Sequence, residues 1–354
     1  ALFAYRQTFE FEGGRHERCG MFAAVETVEL GPREGGGILP HEETFSGPKE
    51  DRLALMRATS HQLSPIFGMH ADQSGEGTRI VRDAMQGQPA ATATTDDGVF
   101  HELWTIDDAD VIESYQEALA GEDIFVADGH HRYNTAVNYL KELAGKGEVP
   151  ANHPARRCMM VIVGMSDPGM VIGPTHRVLG GMENYSWEAF AQAASSHMHI
   201  EPLGDDPHAI DSALEGKATA IGLFDFGSGQ TFIATPKTND PLAEDFGDKS
   251  KAWRTLDVTF VQEVLVERVC KRALNSGNDV KWAFPHSIDE VLEIGRGAET
   301  GAGGGSGFAQ LAAIVRPTPL EAVRDICLAG ELMPQKSTFF YPKIATGLCM
   351  NPLM

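Results

Sequence analysis

The 354-residue sequence is poor in basic residues. It has 29 lysines and arginines against 50 aspartates and glutamates, which gives a formal net charge of −21 at pH 7. Proteins that wrap nucleic acid or lie on anionic membranes need a basic face, because they must neutralise phosphates. We therefore expect neither a nucleic acid nor a membrane as a partner.

Cysteines are few and long apolar runs are absent. The five cysteines are scattered without the CxxC spacing of structural zinc sites, which is typical of a reducing compartment. The longest apolar run, residues 158–165, is too short to span a bilayer. The sequence opens in a strand-like stretch, "LFAYRQTF", with no signal peptide. We expect a cytoplasmic protein whose natural N-terminus precedes Ala1, and nothing in the sequence indicates its oligomeric state.

Strand-like and helix-like blocks alternate along the chain without an internal repeat. Periodicity predicts a strand over 20–30, a helix over 48–63, a buried strand over 158–165 and an amphipathic helix over 255–274. The glycine-rich run 295–307 lacks the GxxxxGK[ST] order of a phosphate loop, so we expect a hairpin loop there. The pattern predicts an α+β fold with mixed sheets flanked by helices.

The stretch "VADGHHRYNTA" places His130, His131 and Arg132 where a predicted helix begins, directly after an apolar strand. Helix N-termini carry partial positive charge and favour acidic residues, so these side chains are electrostatically misplaced unless an anion binds there. Asp128 could cap the helix or hold a histidine tautomer, and Gly129 supplies the turn. The stretch therefore predicts an anion site.

Three further polar stretches interrupt the strand and helix pattern: "LPHEET" (39–44), "GPTHRVL" (173–179) and "MPQKSTFFYPK" (333–343). Each offers residue types that hold phosphate or activate a hydroxyl group. The candidate residues are His41, Glu42, Glu43, His176, Arg177, Lys336, Ser337 and Thr338.

Length favours about two domains. We predict a motif-bearing domain over 1–180 and a C-terminal α+β domain over 181–354, whose "MPQKSTFFYPK" segment returns to the site. Between Glu331 and Met354 there are two lysines and one glutamate, so 2 − 1 gives +1 in a chain of −21.

Nine stretches in this order resemble the family known as domain of unknown function 1015. They are "YRQTF", "LPHEET", "KEDRLALMRAT", "LSPIF", "HELWTI", "VADGHHRYNTA", "PTHRVL", "LDVTFVQ" and "MPQKSTFFYPKIATGL". Members of that family usually begin with a further segment that carries a "PPYD"-like motif, and this sequence has none.

"VADGHHRYNTA" also resembles the phosphate-binding signature of the ParB/sulfiredoxin-like superfamily, in which a strand leads through Gly-x-x-Arg into a helix. Free-serine kinases in that superfamily show a closely similar Asp-Gly-His-His-Arg. The resemblance implies a ParB-like strand–DGHHR–helix unit and a nucleotide, a triphosphate or diphosphate with Mg²⁺, as the anion.

The leading hypothesis is a small-molecule phosphotransferase or nucleotide hydrolase, with a free amino acid such as serine as the acceptor. Arg132, with His130 and His131, would clamp the phosphates. Glu42 or Glu43 would act as general base with His41 beside them. Glu42 and Asp128 are the candidate magnesium ligands, and the cationic and hydroxyl side chains of the later stretches would add phosphate contacts.

Two alternatives stay open. The first is a metal-dependent hydrolase, in which histidine and carboxylate ligands activate water. Its ligands would come from His41, Glu42, Asp128, His130, His131 and His176. The second is a non-catalytic nucleotide-binding regulatory protein, because binding and turnover use the same residues.

Overall fold

The computed structural model describes residues 1–42, 48–300 and 303–354, with the backbone alone at 48–50, 300 and 303. The chain forms two compact units. The first unit comprises Ala1–Val171 and Phe340–Met354, and the second comprises Ile172–Phe339. The chain thus divides earlier than the predicted boundary after residue 180, and its last residues belong to the first unit.

The secondary structure of the described residues alternates as an α+β chain does. The strands are β1 (Leu2–Phe11), β2 (Gly14–Glu26), β3 (Ile38–Pro40), β4 (His61–Gln62), β5 (Ile66–His70), β6 (Ala91–Thr94), β7 (Phe100–Ile106), β8 (Ile124–Asp128), β9 (Arg157–Gly164), β10 (Val171–Gly173), β11 (Arg177–Gly180), β12 (Met198–Gly204), β13 (Ile221–Asp225), β14 (Gln230–Pro236), β15 (Lys281–Ala283), β16 (Glu299–Thr300), β17 (Gly303–Gly304), β18 (Ala309–Ile314), β19 (Phe339–Tyr341) and β20 (Asn351–Pro352). The helices are α1 (Pro48–Thr59), α2 (Glu76–Asp83), α3 (Ala109–Ala118), α4 (His130–Lys146), α5 (Trp187–Ala194), α6 (Ala209–Leu214), α7 (Lys251–Arg254), α8 (Asp257–Phe260), α9 (Ile288–Gly295) and α10 (Leu320–Leu328), with a 3₁₀ turn at Pro154–Arg156 and a π-helical continuation of α8 over Val261–Ala273.

The first unit is built on an eight-stranded mixed sheet with the order β3-β8-β5-β9-β2-β1-β7-β6. The pairs β3–β8 and β5–β9 are parallel, and the other neighbours are antiparallel. Four of the five residues of β8 are buried, as expected for a strand covered on both faces. The mixed sheet that the sequence predicts is confirmed here.

Two apolar clusters hold the helices of the first unit against its sheet. Tyr133, Ala136 and Val137 of α4 pack with Ile124 and Val126 of β8. A second cluster joins residues of α2 and α3 to β1, β2 and β7. Helix α4 is thereby fixed directly behind the strand that precedes it, which positions its first turn at the sheet edge.

The second unit contains a six-stranded antiparallel sheet with the order β12-β14-β13-β18-β11-β15. Helices α6 and α9 contribute Ile210, Leu214, Val291 and Ile294 to its core. Strands β13 and β14 form an antiparallel hairpin. The glycine-rich run contributes a second hairpin, in which β16 pairs with β17.

Two predicted helix limits differ from the structure. Helix α1 ends at Thr59 rather than near residue 63, because Ser60 adopts a left-handed backbone with φ of 52°. Helix α2 arises within a polar stretch in which the sequence predicts no helix. Among the described residues, no helix has both the length and the apolar composition that crossing a bilayer requires.

Candidate functional site

Two of the predicted stretches lie at the same edge of the first unit's sheet. Strands β3 and β8 run parallel, with Pro40 opposite Val126. "LPHEET" and "VADGHHRY" therefore leave adjacent strands at equivalent ends. The backbone N–H of His41 donates to Nε2 of His130 over 3.4 Å, so the two stretches are in direct contact. Glu43 lies outside the described residues.

Helix α4 begins without a capping side chain. Its N-cap is Gly129, in a left-handed conformation with φ of 98°. A Cβ at this position would lie 3.0–3.1 Å from the guanidinium atoms of Arg132, so the site requires glycine for its backbone and for its space. Asp128 directly precedes the N-cap, and its carboxylate accepts a hydrogen bond from the Gly129 N–H, so a capping role for Asp128 stays a prediction.

The carboxylate of Asp128 lies between two cations. Arg132 donates from Nη2 to Asp128 Oδ2 over 2.9 Å, and Lys343 Nζ lies 3.6 Å from Oδ1. Arg132 also donates to the carbonyl oxygen of Pro65. Burial favours a raised pKa for Asp128, but Lys343 and Arg132 outweigh it and lower the pKa. These three side chains together carry a charge of +1.

His130 does not contribute a positive charge at neutral pH. Burial, with His41 beside it, lowers the pKa of His130 from its ordinary value of 6.5 to about 3. Its Nε2 accepts the His41 N–H, which leaves the proton on Nδ1. A neutral His130 ring therefore stands at the first helical position, and its contact with phosphate stays a prediction. His131 follows it, and its carbonyl accepts from Thr135 Oγ1 over 2.7 Å.

His41 and Glu42 form a close pair of side chains. The buried ring of His41 has Nδ1 2.7 Å from the carbonyl oxygen of Val126, so Nδ1 must donate. Its Nε2 then faces Glu42 Oε1 at 3.5 Å. His41 thus holds the Glu42 carboxylate next to the start of α4.

A pocket opens beside Arg132 in the first unit. Arg52 of α1 and Arg132 of α4 both line it, with Ser64 and Thr135 as further polar groups. The remaining wall is mostly apolar, and it includes Leu55, Met56, Leu63, Ile66 and Met159. Two guanidinium groups beside an apolar wall suit a ligand that is anionic at one end and apolar at the other.

The other two predicted stretches meet in the second unit. Arg177 donates from Nη2 to the carbonyl oxygen of Lys336 over 3.0 Å, and its guanidinium lies 5.2 Å from the ring centre of Phe284. Lys336 itself has a left-handed backbone with φ of 59°. The contact between "GPTHRVL" and "MPQKST" thus runs through backbone carbonyl groups.

His176 and Ser337 are buried in the second unit. The Val315 N–H donates to Nδ1 of His176 over 3.2 Å, and burial lowers the pKa of His176 to about 3. Ser337 donates to the carbonyl of Pro334, and its own carbonyl accepts from Thr318. These bonds give both residues an internal structural role. Phosphate binding by His176, Arg177, Lys336, Ser337 and Thr338 stays a prediction.

Within residues 1–42, 48–300 and 303–354, no group of three or more histidine, cysteine, aspartate or glutamate side chains is arranged to hold a metal ion. The ligand set of the metal-dependent hydrolase hypothesis is therefore not assembled in this part of the chain.

The family described as "Protein of unknown function (DUF1015)" matches residues 1–259. The chain belongs to this family. No curated protein matches it.

Solved structures with a similar chain course include three proteins. A free serine kinase variant in complex with ADP has 12% identity and a TM-score of 0.42, over 93% of this chain and 92% of that one. A conserved hypothetical protein from Pyrococcus furiosus has 13% identity and a TM-score of 0.40, over 92% and 93%. SbnI with a C-terminal truncation, from Staphylococcus aureus, has 10% identity and a TM-score of 0.42, over 94% and 87%. At such scores the likeness carries no argument about this chain's activity.

Sequence reasoning missed Lys343 and Arg52, the two cations that accompany Arg132 in this DUF1015 member. The net charge of +1 over 331–354 is the signal that could have indicated Lys343. It indicated Lys336 equally well, and that residue belongs to the second unit. No local pattern indicates Arg52, which is an ordinary exposed residue of an amphipathic helix.

Proposed function

We propose that the chain is a nucleotide-dependent small-molecule phosphotransferase with its phosphate site at the start of α4. One observation carries the proposal. A helix N-terminus without a side-chain cap faces Arg132 and Lys343, while Glu42 follows the adjacent parallel strand. A cationic anion site and a proton acceptor are thus brought together, as phosphoryl transfer to a hydroxyl group requires.

The phosphate would bind where the N–H groups at the start of α4 meet the guanidinium group of Arg132. Arg132 is fixed there by Asp128 and by the Pro65 carbonyl, so its planar group is oriented before a ligand arrives. His130 would contribute a neutral N–H donor from Nδ1. The resemblance of "DGHHR" to the ParB-like signature supports this assignment, and the apolar pocket beside Arg132 suits the nucleoside.

Glu42 is the general base in this proposal. His41, anchored by the Val126 carbonyl, orients the Glu42 carboxylate and shares the proton that it takes up. The acceptor would be a small molecule with a hydroxyl group, such as the amino acid serine. That choice comes from the resemblance of the "DGHHR" motif to free-serine kinases.

A magnesium ion shared by Glu42 and Asp128 does not fit these residues. Both oxygens of Asp128 already face cations, Oδ2 towards Arg132 and Oδ1 towards Lys343. A metal ion at Asp128 would meet two positive charges at short range. Glu42 alone has the hard oxygen donors that Mg²⁺ prefers.

The test measures nucleotide binding by calorimetry and phosphate transfer to amino acids for the wild type and Glu42→Gln. We expect Glu42→Gln to lower turnover by about 10²–10⁴-fold with the nucleotide still bound, because glutamine keeps the size but cannot accept the proton. Glu113→Gln, an exposed carboxylate on α3, is the matched control and should leave both measurements unchanged.

Two results would overturn the proposal. Normal turnover in Glu42→Gln would remove the base from the mechanism. Nucleotide binding without transfer to any acceptor in the wild type would instead favour a non-catalytic nucleotide-binding protein.

A further inference from the structure

Arg18 is a fully buried cation whose hydrogen bonds go to neutral groups. It is 1% exposed, and its guanidinium donates to Gln7 Oε1 and to the carbonyl oxygens of Tyr341 and Pro342. Its guanidinium carbon lies 4.6 Å from the ring centre of Phe67. Among the described residues it makes no ion pair, and burial lowers the pKa of Arg18 to about 10. Arg18 therefore stays charged at neutral pH.

Gln7 completes this contact. Its Oε1 accepts from Arg18, and its Nε2 donates to the carbonyl oxygen of Lys343 over 3.0 Å. Two buried side chains from β1 and β2 thus bind three successive carbonyl groups, at Tyr341, Pro342 and Lys343. We name Arg18, Gln7 and these three carbonyls the carbonyl clamp.

The next residues are fixed in the same way. An Ala345 backbone hydrogen bond reaches the Tyr5 hydroxyl, which lies 2.6 Å from Nδ1 of His101. The stretches "YRQTF", "HELWTI" and "FFYPKIATGL" therefore meet in one buried polar network. Burying a charged guanidinium is costly, and breaking its hydrogen bonds costs more, so this network holds one backbone path for residues 341–345.

The path ends with the Lys343 side chain at the start of α4. Lys343 is 53% exposed, and an exposed ion pair of 3.6 Å with Asp128 contributes little to stability. The clamp thus fixes the backbone from which the Lys343 ammonium group reaches Asp128, directly before the first turn of α4. The charge of +1 on Asp128, Arg132 and Lys343 is, however, complementary to an anion.

We propose that Lys343 is a second phosphate-binding cation of this site and that the carbonyl clamp positions it. The inference rests on the proposed function, since it adds a ligand to the same anion site. Lys343 would contact the terminal phosphate of a nucleoside diphosphate or triphosphate, and Arg132 would hold the phosphate nearer the helix.

The first experiment uses Lys343→Gln with inorganic pyrophosphate, ADP and AMP as probes in calorimetry. We expect pyrophosphate and ADP to bind about 10–100-fold more weakly, because one charged hydrogen bond is lost. AMP, which lacks the terminal phosphate, should lose less than about 3-fold. Lys343→Arg should stay close to the wild type. Lys146→Gln, at the far end of α4 and paired with Glu142, is the matched control and should change nothing.

The second experiment tests the positioning role through a double-mutant cycle with Gln7→Met. This variant keeps the volume of residue 7 but removes its bonds to the Lys343 carbonyl and to Arg18. We expect weaker pyrophosphate binding in the wild-type background and no further loss in the Lys343→Gln background, because the effect acts through Lys343. If Gln7→Met does not fold, Gln7→Asn takes its place. Its side chain is one methylene shorter, so the amide lies farther from the Lys343 carbonyl.

The outcomes separate this inference from the proposed function. Unchanged pyrophosphate and ADP binding in Lys343→Gln overturns the Lys343 assignment and leaves the phosphotransferase proposal standing. If the wild type binds pyrophosphate but no nucleotide, the phosphotransferase proposal is overturned. The pyrophosphate affinity of Lys343→Gln still tests the Lys343 assignment in that case. A wild type that binds none of the probes overturns both. Additive effects of Gln7 and Lys343 overturn the positioning role.

Discussion

His130 is a half-buried and His176 a buried neutral ring, one in each unit, and this makes stability depend on pH. Burial lowers the pKa of each ring from 6.5 to about 3. Below pH 6.5 the unfolded chain takes up protons that the folded chain does not, so stability is complete above that pH and falls as the solution is acidified. The loss should be about 2 kcal/mol per ring between pH 7 and pH 5.

We therefore expect the free energy of unfolding of His130→Gln to fall by about 2 kcal/mol less than that of the wild type between pH 7 and pH 5. The measurement is the free energy of unfolding from urea titrations at pH 7, 6 and 5. The test compares how steeply the free energy of unfolding falls with pH in the two proteins, so a loss of stability that is equal at every pH does not affect it. Parallel curves for the two proteins would mean that the His130 ring takes up its proton in the folded state.

The same two residues show why side-chain chemistry was harder to predict than position. The sequence placed His130 correctly at the start of a helix. It could not show that the ring is enclosed by His41 and accepts a backbone N–H, which keeps it neutral. His176 likewise carries the residue type of a phosphate ligand, but its Nδ1 accepts a hydrogen bond from the backbone N–H of Val315, 139 residues away.

At the scale of one element, helix α4 has one glycine at its N-cap and one in its interior, with opposite requirements. Gly129 has φ of 98° and meets the Arg132 guanidinium, whereas Gly145 lies in the helix with open space around its Cα. We expect Gly129→Ala to cost about 1–2 kcal/mol of unfolding free energy for the left-handed backbone alone. It should also weaken nucleotide binding, because the new methyl group displaces Arg132.

Gly145→Ala is the control, and it should stabilise the protein by roughly 0.5–1 kcal/mol without changing binding. Thermal unfolding and calorimetry of both variants provide the measurement. If Gly129→Ala were as stable as Gly145→Ala and bound the nucleotide normally, the close packing of Arg132 on Gly129 would have no importance for the site.

Local patterns predicted α4 and β8 well, because a buried apolar run and a helical period are properties of the segment itself. They missed α2, whose buried face has only Ile80 and Val81 as large apolar residues. Its first N–H groups are bound by the carboxylate of Asp72. The helix is therefore stabilised by hydrogen bonds that a hydrophobic pattern does not reveal.

At the scale of the whole molecule, the end of the chain is part of the first unit's core. Leu353 is 2% exposed and packs with Met56 and Ala155, whereas the next residue, Met354, is 82% exposed. We expect Leu353→Ala to lower the free energy of unfolding by roughly 2–5 kcal/mol, since it leaves a cavity. Denaturant titration measures this effect.

Met354→Ala is the matched control and should stay within about 0.5 kcal/mol of the wild type. Equal stabilities for the two variants would indicate that the Leu353 side chain contributes no packing to the unit. The backbone bond from Leu353 N–H to the Ser60 carbonyl, 2.9 Å long, would then be the main attachment of this residue.

The return of residues 340–354 to the first unit also explains why the sequence missed Lys343. Both lysines of the C-terminal stretch have the same local surroundings in the sequence, and only the tertiary path distinguishes them. That path depends on Arg18 and Gln7, which lie more than 300 positions away. Contacts of this separation leave no periodic signal.

The discontinuous first unit sets the order of events during synthesis. Arg18 leaves the ribosome 323 positions before its partner Tyr341. At about 5–20 residues per second, the interval is roughly 15–65 s. Throughout that time the guanidinium has to stay hydrated, and strands β1 and β2 cannot close over it. A polypeptide released early would also lack the lysine that faces Asp128, so only a chain translated through its final residues can present the finished anion site.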